Sequence, residues 1–218
     1  MRLGFFLVLL LTVNSAFSAP LKLDYSLFFG YMKTLYKLDY EHVTIAFYLR
    51  DKQSQNACLI KDAYLVVDQK RDPIKVGIQG RLLPFISQQH RKDGADIEVE
   101  LLPGQENYKC DLQVTIMAKE TELAQLSYSR LALISAELEG ILKKNAGMIG
   151  KYFLPPFSGV RLQLTKPLSE SQLSSLPQQF RVGEDGDLLI SNAFLKTAIA
   201  EQNLALSVAR ITPWITQQ

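Results

Sequence analysis

The chain has few of the residues that most enzyme sites need, with only two histidines and two cysteines among its 218 residues. It contains no G-x-S-x-G elbow, no H-E-x-x-H, no C-x-x-C and no glycine-rich phosphate loop. His42 stands beside Glu41, His90 lies in the polar run QQHRKDG, and neither histidine has a partner that spacing would identify. We therefore expect no catalytic residue, no metal site and no cofactor. This pattern favours a protein that is not an enzyme.

Neither sign of charge dominates the sequence, which has 24 Lys and Arg residues, 22 Asp and Glu residues and a formal net charge of +2. Basic pairs such as Lys70-Arg71 and Arg91-Lys92 are scattered through polar stretches. Nucleic-acid binding usually needs Lys and Arg clustered on one face. The composition therefore argues against a nucleic-acid partner.

Long apolar runs are lacking apart from the N-terminal stretch MRLGFFLVLLLTVNSAFSAP. A positive residue, an apolar run of signal-peptide length and a group of small residues follow one another there. A transmembrane helix needs about 20 apolar residues, so this run is too short to span a bilayer. We predict a signal peptide over residues 1–18 with cleavage between Ser18 and Ala19, and a periplasmic or secreted location. A single mature α+β domain is then expected over residues 19–218, with no transmembrane span.

The two cysteines, Cys58 and Cys110, both fall in the predicted mature region. An even number of cysteines in an oxidising compartment indicates one disulfide. Alternation in the segment CDLQVTIMA places Cys110 on the same face as its apolar neighbours, so its side chain should point inward. The alternative is a pair of buried free thiols.

Two amphipathic helices are predicted. Asp24 is suited to cap the first helix, whose apolar residues recur at helical spacing as an aromatic stripe. The members of this stripe are Tyr25, Phe28, Phe29, Met32, Leu35 and Tyr36. We interpret the stripe as a face that packs on the core and not as a ligand site. The second helix is predicted over residues 129–145, with Leu131 and Ile134 on its apolar face and Gly147 as its stop.

Alternating apolar and polar residues predict antiparallel strands with one wet face. The segment PIKVGIQGRLL alternates, which would place Ile78 inward and Arg81 outward, and DIEVELL does the same. Further strands are predicted at residues 42–49, 160–164 and 204–208. The dipeptide Asp185-Gly186 between apolar runs predicts a two-residue hairpin turn.

Three clusters suggest sites, each with a plainer interpretation beside it. Apolar residues on the proline loop GKYFLPPFSG could bind a ligand, but such a loop more often plugs its own core. The candidates there are Tyr152, Phe153 and Phe157. The acidic turn GEDGD offers oxygens to calcium, yet it is too short for a dedicated calcium loop, so we interpret it as a solvated turn. Glu98 and Glu100 have the spacing of a glycosidase pair, but they are also typical of the wet face of a strand.

Several segments together resemble a family of exported Gram-negative proteins that is known only as a domain of unknown function. They are the signal peptide, LDYSLFFGYMKTLYKLDYEHVTIAFYL, the cysteine segments NACLIKDAYLV and YKCDLQVTI, and the closing ITPWI. The resemblance implies an envelope location and supplies no catalytic residue.

We therefore expect an α+β fold, with an antiparallel sheet or two-sheet sandwich, two packed helices and one disulfide. The favoured function is non-catalytic binding or assembly work in the cell envelope, with an unknown envelope protein or ligand as partner. The alternatives are a hydrolase acting on an envelope polymer and a carrier of an apolar ligand.

Overall fold

The fold is taken from a computed structural model, which describes residues 20–105, 107–150, 154–197 and 203–216. Within these ranges the chain forms 12 strands and five α-helices. The strands are β1 Leu21–Asp24, β2 Val43–Asp51, β3 Ile60–Val67, β4 Lys70–Pro73, β5 Lys75–Val76, β6 Leu82–Leu83, β7 Asp96–Leu101, β8 Cys110–Ala118, β9 Phe157–Leu164, β10 Phe180–Val182, β11 Leu188–Ser191 and β12 Val208–Ile215. The helices are α1 Tyr25–Leu38, α2 Gln88–Lys92, α3 Tyr128–Gly150, α4 Glu170–Ser175 and α5 Asn192–Thr197.

The strands form three four-stranded sheets, and the pairings within them are antiparallel. The first sheet has the order β1-β7-β3-β4, the second β5-β6-β2-β8 and the third β10-β11-β9-β12. The predicted α+β class is confirmed, and so is the disulfide, which joins Cys58 to Cys110. In the described part of the chain, no helix combines the length and the hydropathy that a membrane span requires. The predicted signal peptide, residues 1–18, lies outside the described residues.

Both predicted helices are present. The Asp24 carboxylate accepts a hydrogen bond from the Ser26 backbone N–H at 2.7 Å and so caps α1. Three aromatic residues of the stripe, Tyr25, Phe28 and Phe29, are buried. The regular part of α3 ends at Gly147, whose φ of 73° lies in the left-handed region that favours glycine.

The core consists of two hydrophobic clusters. The first lies among α1, the first sheet and β2, and it contains the disulfide. The second lies between α3 and the third sheet. Three elements contribute buried residues to both clusters. The residues given to the first and second cluster are Ile45 and Val43 from β2, Cys110 and Ala118 from β8, and Ile141 and Leu131 from α3.

The predicted continuous strand PIKVGIQGRLL is wrong. It is the hairpin β5–β6, in which Val76 pairs with Leu82 across a tight turn. Gln79 and Gly80 both adopt positive φ there, at 58° and 76°, and two successive left-handed residues reverse the chain. Ile78 sits at the turn and is 75% exposed, although alternation placed it inward.

The end of the chain also differs from the prediction. The last strand is β12, which begins at Val208 and not at Leu204. Leu204 instead donates its backbone N–H to the Leu126 carbonyl at 2.8 Å, ahead of α3. Pro213 is tolerated within β12 because this strand lies at the edge of the third sheet, where a missing N–H costs no ladder bond on the open side.

Candidate functional site

The predicted disulfide partners lie in the first core cluster. Cys58 precedes β3 and Cys110 begins β8, with Cα atoms 6.2 Å apart. Nearby, the Asp51 carboxylate accepts hydrogen bonds from the Ser54 backbone N–H, the Ser54 hydroxyl and the Lys109 backbone N–H, each at 2.8 Å. The Ser54 bonds are the main reason that the pKa of Asp51 lies below its usual 3.8. This cluster has a structural role, because it fixes the chain on both sides of the disulfide.

Of the three aromatic candidates on the proline loop, Tyr152 and Phe153 lie outside the described residues. Phe157 is the first residue of β9, where it pairs with Ile215. Its half-buried ring packs against the second core cluster. Their predicted role in ligand binding stays a prediction.

The Glu98 and Glu100 carboxylates lie on the first sheet and are engaged by neighbouring cations. Glu98, predicted on a wet face, is 8% exposed, which corrects that prediction. Its oxygens lie 2.9 Å from Lys22 Nζ and 3.4 Å from an Arg71 nitrogen, and the same Arg71 nitrogen lies 3.1 Å from Glu100. The hydrogen bond from Lys22 to Glu98 raises the pKa of that lysine. Arg71 also stacks over the Tyr64 ring at 4.1 Å. The pair belongs to an ion network that covers one sheet face.

The acidic turn between β10 and β11 is likewise occupied by a cation. The predicted hairpin is present, but five residues, 183–187, connect its strands, and the Gly183 N–H donates to the Asp187 carbonyl at 2.8 Å. The Arg161 guanidinium contacts Asp187 at 2.5 Å and Asp185 at 2.7 Å. Among the described residues, no cluster of His, Cys, Asp and Glu has the arrangement of a metal site.

Both histidine side chains contact other side chains of the protein. His42 Nδ1 lies 3.3 Å from a Glu122 oxygen and 3.2 Å from an Arg130 nitrogen, at the start of β2. His90 packs edge-on against the Phe85 ring, with ring centroids 5.2 Å apart. Among the described residues, neither imidazole ring is hydrogen-bonded to a hydroxyl or thiol.

A cleft that sequence reasoning missed, here called the α1 cleft, lies between α1, β2 and residues 81–86. Its volume is about 430 Å³, which falls in the range typical of small-molecule sites. Three residues from α1, three from β2 and five from the segment 81–86 line it, together with Asp39, Tyr40 and Lys119. Its apolar lining consists mainly of Met32, Leu35, Ile45, Phe47, Leu82 and Ile86.

The mouth of the α1 cleft exposes apolar side chains to solvent. Tyr36 is 76% exposed, Ile86 43% and Leu83 37%, and the neighbouring Phe85 is 49% exposed. Isolated apolar residues are common on protein surfaces, but a group around a concave opening is typical of a binding site. The α1 cleft therefore has both the space and the surface to receive an apolar ligand.

The outer wall of the α1 cleft is fastened to α1 by Tyr25. Its buried hydroxyl donates to the Phe85 carbonyl at 2.7 Å and accepts from the Ser87 backbone N–H at 2.8 Å. Burial raises the pKa of this hydroxyl above its usual 10.0. Ser87 in turn caps the short helix α2 through its side chain. The wall is thus held in place without the ligand, as pre-organised binding requires.

Two cations lie in the lining of the α1 cleft. Arg81 follows the β5–β6 turn, and its guanidinium contacts Glu120 and the Thr44 hydroxyl, both at 3.3 Å. Lys119 follows β8, and its ammonium donates to the Tyr40 carbonyl at 3.1 Å. One carboxylate, that of the exposed Asp39, also contributes to the lining. The lining is therefore mainly apolar and contains two cations, of which Arg81 is paired with Glu120.

A second cleft, of about 500 Å³, lies where the β5–β6 hairpin approaches β9 and β12. Its cations are occupied by the protein itself. Arg50 donates to the Gln55 carbonyl at 2.7 Å, while Arg210 contacts the Gln79 amide and stacks over Tyr48 at 4.8 Å. This cleft lies between two sheets, and its charged groups are already paired with other groups of the protein.

The sequence did not predict the α1 cleft, because periodicity describes one helix or strand at a time and the lining of the cleft comes from several. The predicted core face of α1 is confirmed except at its last member. Tyr25, Phe28 and Phe29 are buried, Met32 and Leu35 are partly buried against the first core cluster, and Tyr36 is 76% exposed. A usable signal was present at Pro84, where the strand pattern breaks and the adjacent apolar residues Phe85 and Ile86 fit neither strand alternation nor a helical stripe.

Comparison with known proteins gives a family and no closer relative. No curated protein and no solved structure matches the chain. A family model described as "Protein of unknown function (DUF2987)" matches residues 17–164, which is more than half of the chain. The matched stretch contains both cysteines and all the residues that line the α1 cleft. The predicted resemblance to an uncharacterised family is confirmed, and this chain belongs to the family described as Protein of unknown function (DUF2987).

Proposed function

We propose that this protein is an exported, non-catalytic binding protein of the cell envelope that takes an apolar ligand into the α1 cleft. The observation that carries the proposal is the cleft itself, with a volume of about 430 Å³, an apolar lining and exposed apolar residues at its mouth. Burying such residues under a ligand is favourable, at about 25 cal/mol for each Å² of apolar surface removed from water.

Two independent features support export. The N-terminal stretch has the layout of a secretory signal peptide, and the disulfide is of a kind that persists in oxidising compartments. Together these two features support the proposed location, periplasmic or secreted.

Binding is favoured over the alternative of a hydrolase because the best catalytic candidates lie elsewhere. Glu98 and Glu100 are paired with Lys22 and Arg71 on the first sheet, and neither lines the α1 cleft. A glycosidase pair needs one carboxylate that keeps its proton and another that stays ionised beside the substrate. Both carboxylates are instead engaged by cations on other strands of the first sheet.

The binding proposal is tested with N-phenyl-1-naphthylamine, an uncharged dye whose fluorescence rises in apolar sites. The mature protein should bind this dye saturably, at about one site per chain. The variant Ile86→Asp places a charge at the mouth of the α1 cleft and should weaken dye binding about tenfold or more, which corresponds to 1.4 kcal/mol.

Leu133→Asp is the matched control. Leu133 is 52% exposed on α3 and lines neither cleft, so the same chemical change there should leave dye binding unaltered. Equal binding by all three proteins, or no saturable binding by the wild type, contradicts the proposal.

Export is tested separately by mass spectrometry of the protein isolated from its own host. The expected mass starts at Ala19, lacks two hydrogens and resists alkylation until the protein is reduced. A chain that retains residues 1–18 and carries two free thiols contradicts export.

A further inference from the structure

We propose that the ligand of the α1 cleft is a single-chain amphiphile with one anionic head group, which Arg81 and Lys119 bind. This inference rests on the proposed binding function and adds the chemical class of the ligand. Its basis is the placement of two cations with incomplete pairing inside a mainly apolar cleft.

Lys119 is the first of these cations. It is half-buried, and its backbone is fixed where its N–H donates to the His42 carbonyl at 2.8 Å. In the part of the chain that the structure describes, its ammonium has the Tyr40 carbonyl as hydrogen-bond partner and no carboxylate within 4.0 Å. Burying a charge without a counter-charge is unfavourable. An anion in the cleft would supply that counter-charge.

Arg81 is the second cation, and its side chain is only 12% exposed. Its terminal nitrogens form long contacts of 3.3 to 3.4 Å with Glu120, the Thr44 hydroxyl and the Ile45 carbonyl. Its Nε is buried and has no hydrogen-bond partner among the described residues. Buried donors are nearly always satisfied, and arginine pairs well with a planar or tetrahedral oxyanion. The Nε–H of Arg81 is therefore a donor without a partner in the wall of the α1 cleft.

The pairing of the two cations favours a ligand with a single anionic head group. Arg81 contacts Glu120 at 3.3 Å, whereas Lys119 has no carboxylate within 4.0 Å among the described residues. An anionic head group would supply the counter-charge that Lys119 lacks, whereas a cationic ligand would add to its charge. The apolar lining next to these cations suits an alkyl chain, since each buried CH₂ improves affinity about fourfold. A fatty acid and a single-chain lipid phosphate share this chemistry.

The test is a series of twelve-carbon competitors that displace N-phenyl-1-naphthylamine from the mature wild-type protein. The competitors are laurate, dodecyl phosphate, dodecanol and dodecyltrimethylammonium, which share the chain and differ in the head group. We expect laurate or dodecyl phosphate to displace the dye at a concentration at least tenfold below that of dodecanol, with the cationic competitor weakest. The stronger of the two anions then identifies the head group as carboxylate or phosphate.

Variants test whether the preference for an anionic competitor arises in the α1 cleft. Lys119→Met should bring the better anion to within about threefold of dodecanol while leaving dodecanol unchanged, because one charged contact is worth roughly a factor of ten. Asp39→Asn, which removes the acidic residue of the lining, should strengthen the anion. Lys144→Met, an exposed change on α3 outside the cleft, is the matched control and should change nothing.

The outcomes separate this inference from the function on which it rests. Saturable dye binding with equal displacement by laurate, dodecyl phosphate and dodecanol overturns the anionic head group and leaves the binding function standing. Preference for the cationic competitor, or an anion preference that survives in Lys119→Met, also overturns the inference. Absence of dye binding instead contradicts the proposed function itself.

Discussion

The Cys58–Cys110 disulfide should supply about 4 kcal/mol of the free energy of unfolding. It joins residues 52 positions apart, and the loop-closure entropy removed from an unfolded chain of that length is worth about 4 kcal/mol at 25 °C. Both cysteines are buried in the first core cluster, at 3% and 9% exposure, so reduction leaves two thiols in nearly the same space. The loss should therefore arise mainly in the unfolded chain. Since domains are stable by about 5–15 kcal/mol in total, it should be easy to measure.

The assay is urea unfolding followed by circular dichroism, performed on oxidised protein and on protein kept reduced with a phosphine. The reduced protein should lose about 4 kcal/mol. The double variant Cys58→Ala/Cys110→Ala should unfold like reduced wild type and should not respond to the reductant, which controls for effects of the reductant elsewhere. A difference below about 1 kcal/mol between oxidised and reduced protein refutes the entropic reasoning.

Three further predictions concern single side chains. Tyr25→Phe leaves the Phe85 carbonyl and the Ser87 N–H without their partner, so it should cost about 2 kcal/mol in urea unfolding at pH 7. Because burial raises the pKa of Tyr25, wild-type stability should fall as the pH rises above 10.0, and the fall should be shallower in this variant. Gly159→Ala should cost at least about 3 kcal/mol, because φ is 151° there and the new Cβ clashes with backbone of β11. Gly30→Ala, at an open position within α1, should instead raise the free energy of unfolding by about 0.5–1 kcal/mol. The measurement is the unfolding temperature of each variant, and equal shifts for the two glycine variants would contradict this reasoning. The pKa of Asp51 is lowered in the folded protein. The stability that its carboxylate provides above pH 3.8 should therefore be lost as the pH falls through the folded-state pKa. In Asp51→Asn, the free energy of unfolding should depend less on pH in this acid range.

The parts of the fold that sequence predicts well are those governed by local chemistry. Asp24 caps α1 because a side-chain acceptor satisfies a free N–H of the first turn, whatever the helix packs against. Gly147 ends the regular part of α3 because glycine adopts positive φ readily. The disulfide could also be predicted, since two cysteines have only one possible pairing.

The parts that sequence misjudged depend on what lies across from a residue. Alternation in PIKVGIQGRLL satisfies the pattern of a strand, yet Gln79 adopts a left-handed conformation and reverses the chain. Glu98 follows the pattern of a wet face but is buried, because Lys22 and Arg71 from two other strands cover it. These neighbours are distant in sequence, so no local pattern predicts these contacts.

The α1 cleft illustrates the same limit at the functional site. Periodicity shows that Phe28 and Tyr36 share a helix face but not that the face is covered at one end and open at the other. Phe28 is fully buried, whereas Tyr36 is 76% exposed. Phe28 packs on the Phe47 ring of β2, with ring centroids 4.9 Å apart, whereas Tyr36 lines the α1 cleft beside residues 81–86. Arg81 and Lys119 reach the cleft from separate parts of the chain, so their proximity is a property of the tertiary structure.

The most direct test of the central claim is photo-crosslinking of the mature protein with a diazirine-bearing alkyl carboxylate, followed by peptide mass spectrometry. The account predicts saturable labelling, on peptides that contain Met32 and Leu35 or Leu83 and Ile86, and competition by excess laurate. Labelling confined to peptides outside the α1 cleft, such as the one that contains Phe157, or labelling that does not saturate, would contradict it.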